Sequence, residues 1–422
     1  MKTRMIATLL ALPLAMSSAY AQELSAPVFK VSGFGTGALT MSNTDAAEFG
    51  RANQTHGVKK NVRTGVDSNL GLQADITINS WLSLTGQGLV RKDAEDDFGA
   101  EATLAFAKAK INDGLSIRVG RMGIPVFMIS EYRNVGYANN FVRPPQEMYS
   151  QVPFNGIDGI DATWQHAFGA TNVTAQIAVG RSKGALASPA SLDNVMFEAR
   201  SLVALNLAAE YGPFSARLGR ADGKITITGS SALNGLLASL RSVGSGYRFA
   251  QLNTLADELA PTSKKASFTS AGLGLDWNNI IGQAEYAKRK TDSYINDTTS
   301  WYVLAGYRSG KFLPYYSHAK LSIDSVPANT GQAACPAGYP AACTPTLRAL
   351  SAGVASLRYT GLGQGEQSTD SLGLRWDLVN SAALKFQIDY IKPKNGTGLL
   401  LNPTPGFKHA VTVGTVAVDF VF

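Results

Sequence analysis

The sequence predicts an all-β fold, a sixteen-stranded antiparallel transmembrane barrel with long extracellular loops. Three observations lead there: a leader-like N-terminus, short segments that alternate with period two, and an aromatic final residue, Phe422. Lys2 and Arg4 make the first residues basic, residues 5–16 are almost entirely apolar, and Ala19 and Ala21 form an A-x-A site before Gln22. That is the layout of a cleaved secretory signal peptide at 1–21, with the barrel as the single domain at 22–422. The apolar run is too short to span about 30 Å of hydrocarbon, which takes roughly 20 residues in a helix.

Beyond residue 21, charged residues interrupt every candidate transmembrane helix. An exported chain of this kind crosses a membrane only as a closed barrel. Composition agrees: 42 Gly, 33 Tyr plus Phe, two Cys and a mean hydropathy near neutral suit strands with one face in lipid and one in water. The net charge of +7 loses Lys2 and Arg4 with the leader, leaving +5. The bases are scattered, which gives no support to nucleic-acid binding and a slight lean towards anions in a pore.

The elements follow in order. A Gly-rich first strand covers 29–41, and a second covers 61–78, with Leu70, Leu72, Ala74 and Ile76 on one face and Asn69, Gln73 and Asp75 on the other. A turn at Asn79 and Ser80 leads to 81–91, then 100–111, a turn at 112–114, and 115–121. After a long insertion come 157–167, 173–181, 196–210 and 214–221. Later hairpins turn at Asn278 and Asn279, at Gly310 and at Asn380, and residues 408–422 form the last strand. Leu104, Phe106, Ile117, Val119, Trp164, Leu273, Trp376 and Ile388 are expected to face lipid. Trp81, Tyr211, Trp277, Trp301 and Tyr307, near turns, fit an interfacial girdle.

Parity fixes the remaining ambiguity. With tight turns and the C-terminus on the periplasmic side, the strand number must be even. The segment 347–359 therefore reads as a helix, with Leu347, Leu350, Val354 and Leu357 on one face, inside a long external loop at about 325–367. A second external loop, about 223–265, carries a similar helical piece at 232–243. Cys335 and Cys343, in an oxidising compartment, are expected to form a disulfide that braces the first of these loops.

Several stretches resemble the Gram-negative trimeric outer-membrane porins of the general diffusion type: residues 69–73 in the second strand, 84–88 in the third, 103–107 in the fourth, Val119 to Arg121 ending the fifth, and the terminal 418–422. The resemblance implies a homotrimer of barrels that pass small hydrophilic solutes by diffusion. It also implies outer-membrane lipid and lipopolysaccharide as surroundings, a Phe422 read by the barrel assembly machinery as an insertion signal, and a loop 3 folded into the lumen. Loop 3 would be the insertion at about 122–155, rich in aromatics and stiffened by Pro144 and Pro145. The chain departs from the family at Asn69 and Thr103, where general porins carry arginines. Residues 143–149 are instead similar to less-characterised porin-like proteins.

The candidate constriction residues are Arg118, Glu131, Tyr132, Arg133, Arg143, Glu147 and Tyr149. Candidate pore-lining residues are Arg63, Asp67, Arg91, Arg217, Arg289, Arg308, Arg375 and Lys385. Fixed charges in a narrow low-dielectric pore set ion preference. No catalytic, metal or cofactor pattern stands out: the four histidines are far apart, residues 33–37 belong to a strand, and no G-x-S-x-G appears. The functions expected are a weakly anion-favouring diffusion channel, a porin selective for small anions such as phosphate or carboxylates, or a surface-loop receptor or adhesin on a plugged barrel.

Overall fold

A computed structural model describes residues 27–94, 96–152, 154, 156–187, 195–326, 328–357 and 365–422. The leader expected at 1–21 lies outside the described residues. Sixteen antiparallel strands form one closed barrel in which each strand pairs with its chain neighbours and the last pairs with the first. The first five are β1 (Val28–Ser42), β2 (Asn69–Thr77), β3 (Leu82–Lys92), β4 (Phe98–Lys110) and β5 (Leu115–Gly123). Then come β6 (Gly156–Phe168), β7 (Thr171–Leu186), β8 (Val195–Tyr211), β9 (Phe214–Thr228), β10 (Lys264–Trp277) and β11 (Ile280–Thr291). The ring ends with β12 (Thr298–Tyr307), β13 (Phe312–Ile323), β14 (Glu366–Val379), β15 (Ala382–Lys394) and β16 (Val411–Val421). Closure leaves no sheet edge, so every strand satisfies its backbone without water, as lipid requires.

One end carries only tight turns. Their positive-φ residues, Asn278, Asn279, Gly169, Gly212 and Gly310, fall where the sequence places the turns. The chain closes at this end, where Gly33 and Phe422 exchange backbone hydrogen bonds of 2.9 and 3.0 Å. Trp81, Phe168, Tyr211, Trp277, Tyr307 and Phe422 stand exposed here, a band suited to the membrane interface. Trp301 sits at the opposite end, half-buried beside His318.

Along the wall, alternation gives an apolar outer face: Leu70, Leu72, Val119, Ile160, Leu205, Leu273, Leu372 and Ile388 are all exposed. Two expectations on this face fail. Leu104 and Phe106 point inward, because the β3–β4 register shifts between Gln87 and Gly88 and leaves Thr103 as an extra residue. One inserted residue moves every later side chain to the other face. Phe106 consequently lies under the Arg118 guanidinium, 5.2 Å away, and Lys108 pairs with Arg118 on the lumen side.

The second strand begins at Asn69, later than expected, because residues 61–68 belong to loop 1, the β1–β2 connection at 43–68. Ser68 takes the Ala38 N–H on its side-chain hydroxyl at 3.0 Å, which breaks the ladder there. The external loops after β9 and after β13 hold helices α2 (Ser231–Gly246), α3 (Ala250–Leu259) and α4 (Cys343–Ser356), so the segment around 347–357 is helical. Leu233, Leu237, Leu240, Leu252 and Leu255 pack with Leu347, Leu350 and Val354 into a separate apolar core above the barrel. Cys335 and Cys343 are disulfide-bonded with Cα atoms 6.0 Å apart, at the start of α4.

Candidate pore constriction

Loop 3 leaves β5 at Gly123 and enters the lumen. A chain inside a barrel must find partners for its own N–H and C=O groups, and here the wall supplies them in three places. Residues 126–130 lean on β9–β11. The Ser270 hydroxyl donates to the Val126 carbonyl (2.5 Å), Arg217 donates to the Met128 carbonyl (3.2 Å), and Glu285 accepts the Met128 N–H (3.1 Å). Phe127 inserts between Tyr149 and Phe268, with ring centroids 4.6 and 5.1 Å away.

Residues 136–143 lean on β14–β16, on β1 and on the end of loop 1. Lys385 is wholly buried. It donates to the carbonyls of Gly136 (2.7 Å), Asn139 (2.7 Å) and Phe141 (3.1 Å), and it sits 2.7 Å from Asp419. Arg375 donates to the carbonyls of Tyr137 (2.7 Å) and Asn139 (2.9 Å), with its guanidinium over the Tyr137 ring. Arg143 is held by Asp67 (2.8 Å), Asp389 and Thr415. Gly136 lies so close to β16 that a Cβ there would stand 2.1 Å from Asp419 Oδ1; only glycine lets the loop settle at this depth.

The third contact is a single helical turn, α1 (Gln146–Tyr149). Glu147 accepts from Gln367 (2.6 Å) and Thr369 (2.5 Å), and Tyr149 donates to Glu285. Four expected pore residues are thereby corrected. Arg143, Glu147, Tyr149 and Asp67 are buried and paired, so they tie loop 3 to the wall and do not face the open lumen. Lys385 and Arg375 likewise serve loop 3 carbonyls, and Arg289 serves the carbonyls of Gln151 (3.2 Å) and Asn296 (3.1 Å). Arg63 lies in loop 1, exposed, bonded to the Gly57 carbonyl (2.7 Å) and 3.8 Å from Asp96. Arg308 stands at the turn end, 3.5 Å from Asp276.

Between these anchorages, residues 131–133 cross open space. Glu131 and Tyr132 are exposed to the lumen. Arg118 reaches toward them from β5, with its Nη2 3.2 Å from Glu131 and 2.5 Å from Asp161. The facing wall is polar: Gln73, Asp75, Thr85, Gln87 and Thr103 are linked by hydrogen bonds of 2.7–2.8 Å. On the extracellular side of this passage stand Arg91, which pairs with Glu101 at 2.8 Å, and Arg133. Arg51 was not among the sequence candidates, because its place in loop 1 follows no period. Lys108 was missed for the bulge already described. Asp419 was legible, since Val418 and Phe420 beside it are the lipid-facing residues of β16.

No known family model matches the sequence, and no curated protein does. Solved structures do. The chain is similar to outer-membrane OmpT of Vibrio cholerae at 12% identity, over 95% of this chain and 99% of that one, with a TM-score of 0.52. It is similar to Salmonella typhi OmpF at 14% identity, over 93% and 97%, with a TM-score of 0.52. The channel DcaP of Acinetobacter baumannii gives 9% identity, 96% and 100% coverage, and a TM-score of 0.52. The fold is porin-like. Identities this low speak for the architecture alone.

Proposed function

We propose that this chain is an outer-membrane porin, a water-filled channel through which small hydrophilic solutes and ions diffuse passively with a weak preference for anions. The observation that carries this reading is a closed barrel whose lumen is narrowed by a loop held at three places, leaving one charged passage between Arg118, Glu131 and the β2–β5 wall. A rigid aperture lined by fixed charges sorts solutes by size and sign. Nothing in the passage resembles a nucleophile with its base, so the reading is non-enzymatic transport. The cleaved leader, homotrimeric assembly and recognition of Phe422 by the assembly machinery belong to the same proposal. The trimer form of Vibrio cholerae OmpT supports the oligomeric part.

Planar-bilayer recording across a salt gradient tests it. Stepwise conductance with a reversal potential of anionic sign is expected. Silent membranes would overturn the channel, and strong cation preference would overturn the charge corollary. A second reading, selectivity for small anions, is favoured by Arg133, which makes no hydrogen bond or ion pair with a described residue.

A further inference from the structure

Directly outside the passage, loop 1, the ends of β2 and β3 and loop 3 enclose a cavity. Four bases line it, Arg51, Arg91, Lys92 and Arg133, together with Asn69 and Asn134, and no carboxylate is part of the lining. Three of the four bases have acids elsewhere: Arg51 lies 4.0 Å from Asp67, Arg91 pairs with Glu101, and Lys92 with Asp96. Arg133 pairs with no acid among the described residues, and its charged neighbours include Arg91 and Arg51, both of like sign, and Glu101, which Arg91 already holds. Four bases whose acids all lie outside the lining, one of them paired with none of the described residues, leave the half-enclosed space positive and draw in anions.

A second observation points the same way. Asn69 Oδ1 on the floor of the cavity is buried with no hydrogen-bond partner. Such an orphaned acceptor is costly. The oxygen and nitrogen of a side-chain amide exchange places by a half-turn. Turned over, Asn69 places an NH2 donor beneath the cavity lining, likewise without a partner among the described residues.

We infer that this cavity is an oxyanion-binding site, in which the guanidinium of Arg133, assisted by Arg51, Arg91 and Asn69, takes the carboxylate or phosphate group of a small solute before it enters the passage. The site is assembled from three separate parts of the chain, so it exists only when loop 1 and loop 3 are both in place. Guanidinium groups present paired N–H donors that match the two oxygens of such groups. The inference rests on the channel reading for its purpose, but binding is measurable without transport.

The test is calorimetric titration of the full chain in detergent with inorganic phosphate and, separately, with acetate, beside bilayer recordings of the same preparations. Saturable binding of either anion is expected. Tighter binding of phosphate assigns the site to phosphoryl solutes, and tighter binding of acetate to carboxylates. Arg133→Gln should weaken binding by roughly tenfold or more, as loss of a charge-assisted pair does. Arg308→Gln, at the other end of the barrel, should leave it unchanged. If Arg133→Gln yields no folded barrel, Asn134→Asp places a carboxylate in the lining and should weaken binding likewise. No binding by the wild type, or unchanged binding in the folded variant, overturns the site. Conductance with no anion binding removes the site and leaves the channel, whereas binding with silent membranes removes the channel and leaves the site.

Discussion

Lys385 is an ammonium group with no access to solvent, compensated by Asp419 and by three carbonyls of loop 3. Removing one member of such a set leaves the other charge buried alone, which costs about 3–5 kcal/mol. Lys385→Met is therefore expected to release residues 136–141 from the wall. Larger and noisier single-channel currents, with the barrel still closed, would check it; unchanged currents would show that the apolar contacts hold the loop unaided. Phe127→Ala should loosen the other anchorage by about 3–5 kcal/mol, read as faster amide exchange at 126–130. At this scale, outside the bulged stretch of β4, the sequence revealed which strand residues face inward but not what they face. Arg375 and Lys385 lie on the inner phase of their strands, as any alternation count shows. Whether an inward base meets water or a loop carbonyl depends on the path of loop 3, which no local pattern encodes.

Loop 1 and the loop before β16 are joined as a unit. Glu48 exchanges backbone hydrogen bonds of 2.8 Å with Leu401, and its carboxylate accepts from Gly57 N–H (2.8 Å) and Asn402 (3.1 Å). Burial raises the Glu48 pKa, but the Gly57 and Asn402 hydrogen bonds and the charges of His56 and Lys59 outweigh it, holding the group below its ordinary 4.5. A depressed carboxylate contributes stability above its unfolded pKa and loses it as pH falls through the folded value. The two loops should accordingly part in acid, below about pH 4. Protease nicking of loop 1 that rises in that window for the wild type and is pH-independent in Glu48→Gln would agree; nicking that ignores pH in both would not. The α4 loop offers a second case. Its disulfide closes a short loop, worth ~2–3 kcal/mol, while Leu347, Leu350 and Val354 share one apolar core with Cys343 and with the leucines of α2 and α3. Reduction should speed amide exchange near Cys335 and leave barrel melting unchanged. Turns, strands and the α4 helix were readable because their signals are local. The bulge at Thr103 was not, because one extra residue in a strand has no compositional mark.

For the whole molecule, closure depends on a contact between residues 33 and 422. The Phe422 ring lies across Gly33, and a Cβ at that glycine would stand 2.2 Å from the ring's Cζ. Gly33→Leu should displace the ring and lower the yield of closed barrels, seen as loss of the heat-dependent shift in gel mobility. A normal shift would show that the backbone pairing alone suffices. Architecture was the most legible level: period, turn spacing and parity each constrain the same ring, and together they allow one strand number.

The helical cap spans from the loop after β9 to the loop after β13, passing over the β11–β12 connection, and loop 3 rivets the inner side of β9–β11 and β14–β16. Mechanically the barrel is then a hoop braced along one arc. Loop 3 reaches the β3–β6 arc through Arg118, which lies 3.2 Å from the exposed Glu131, and within that arc β4 and β5 share a ladder only from Ala105 to Lys110. Thermal ovalisation concentrates where bending stiffness is least. The width of the gap between loop 3 and that arc is therefore expected to follow the elasticity of the arc more than any displacement of loop 3.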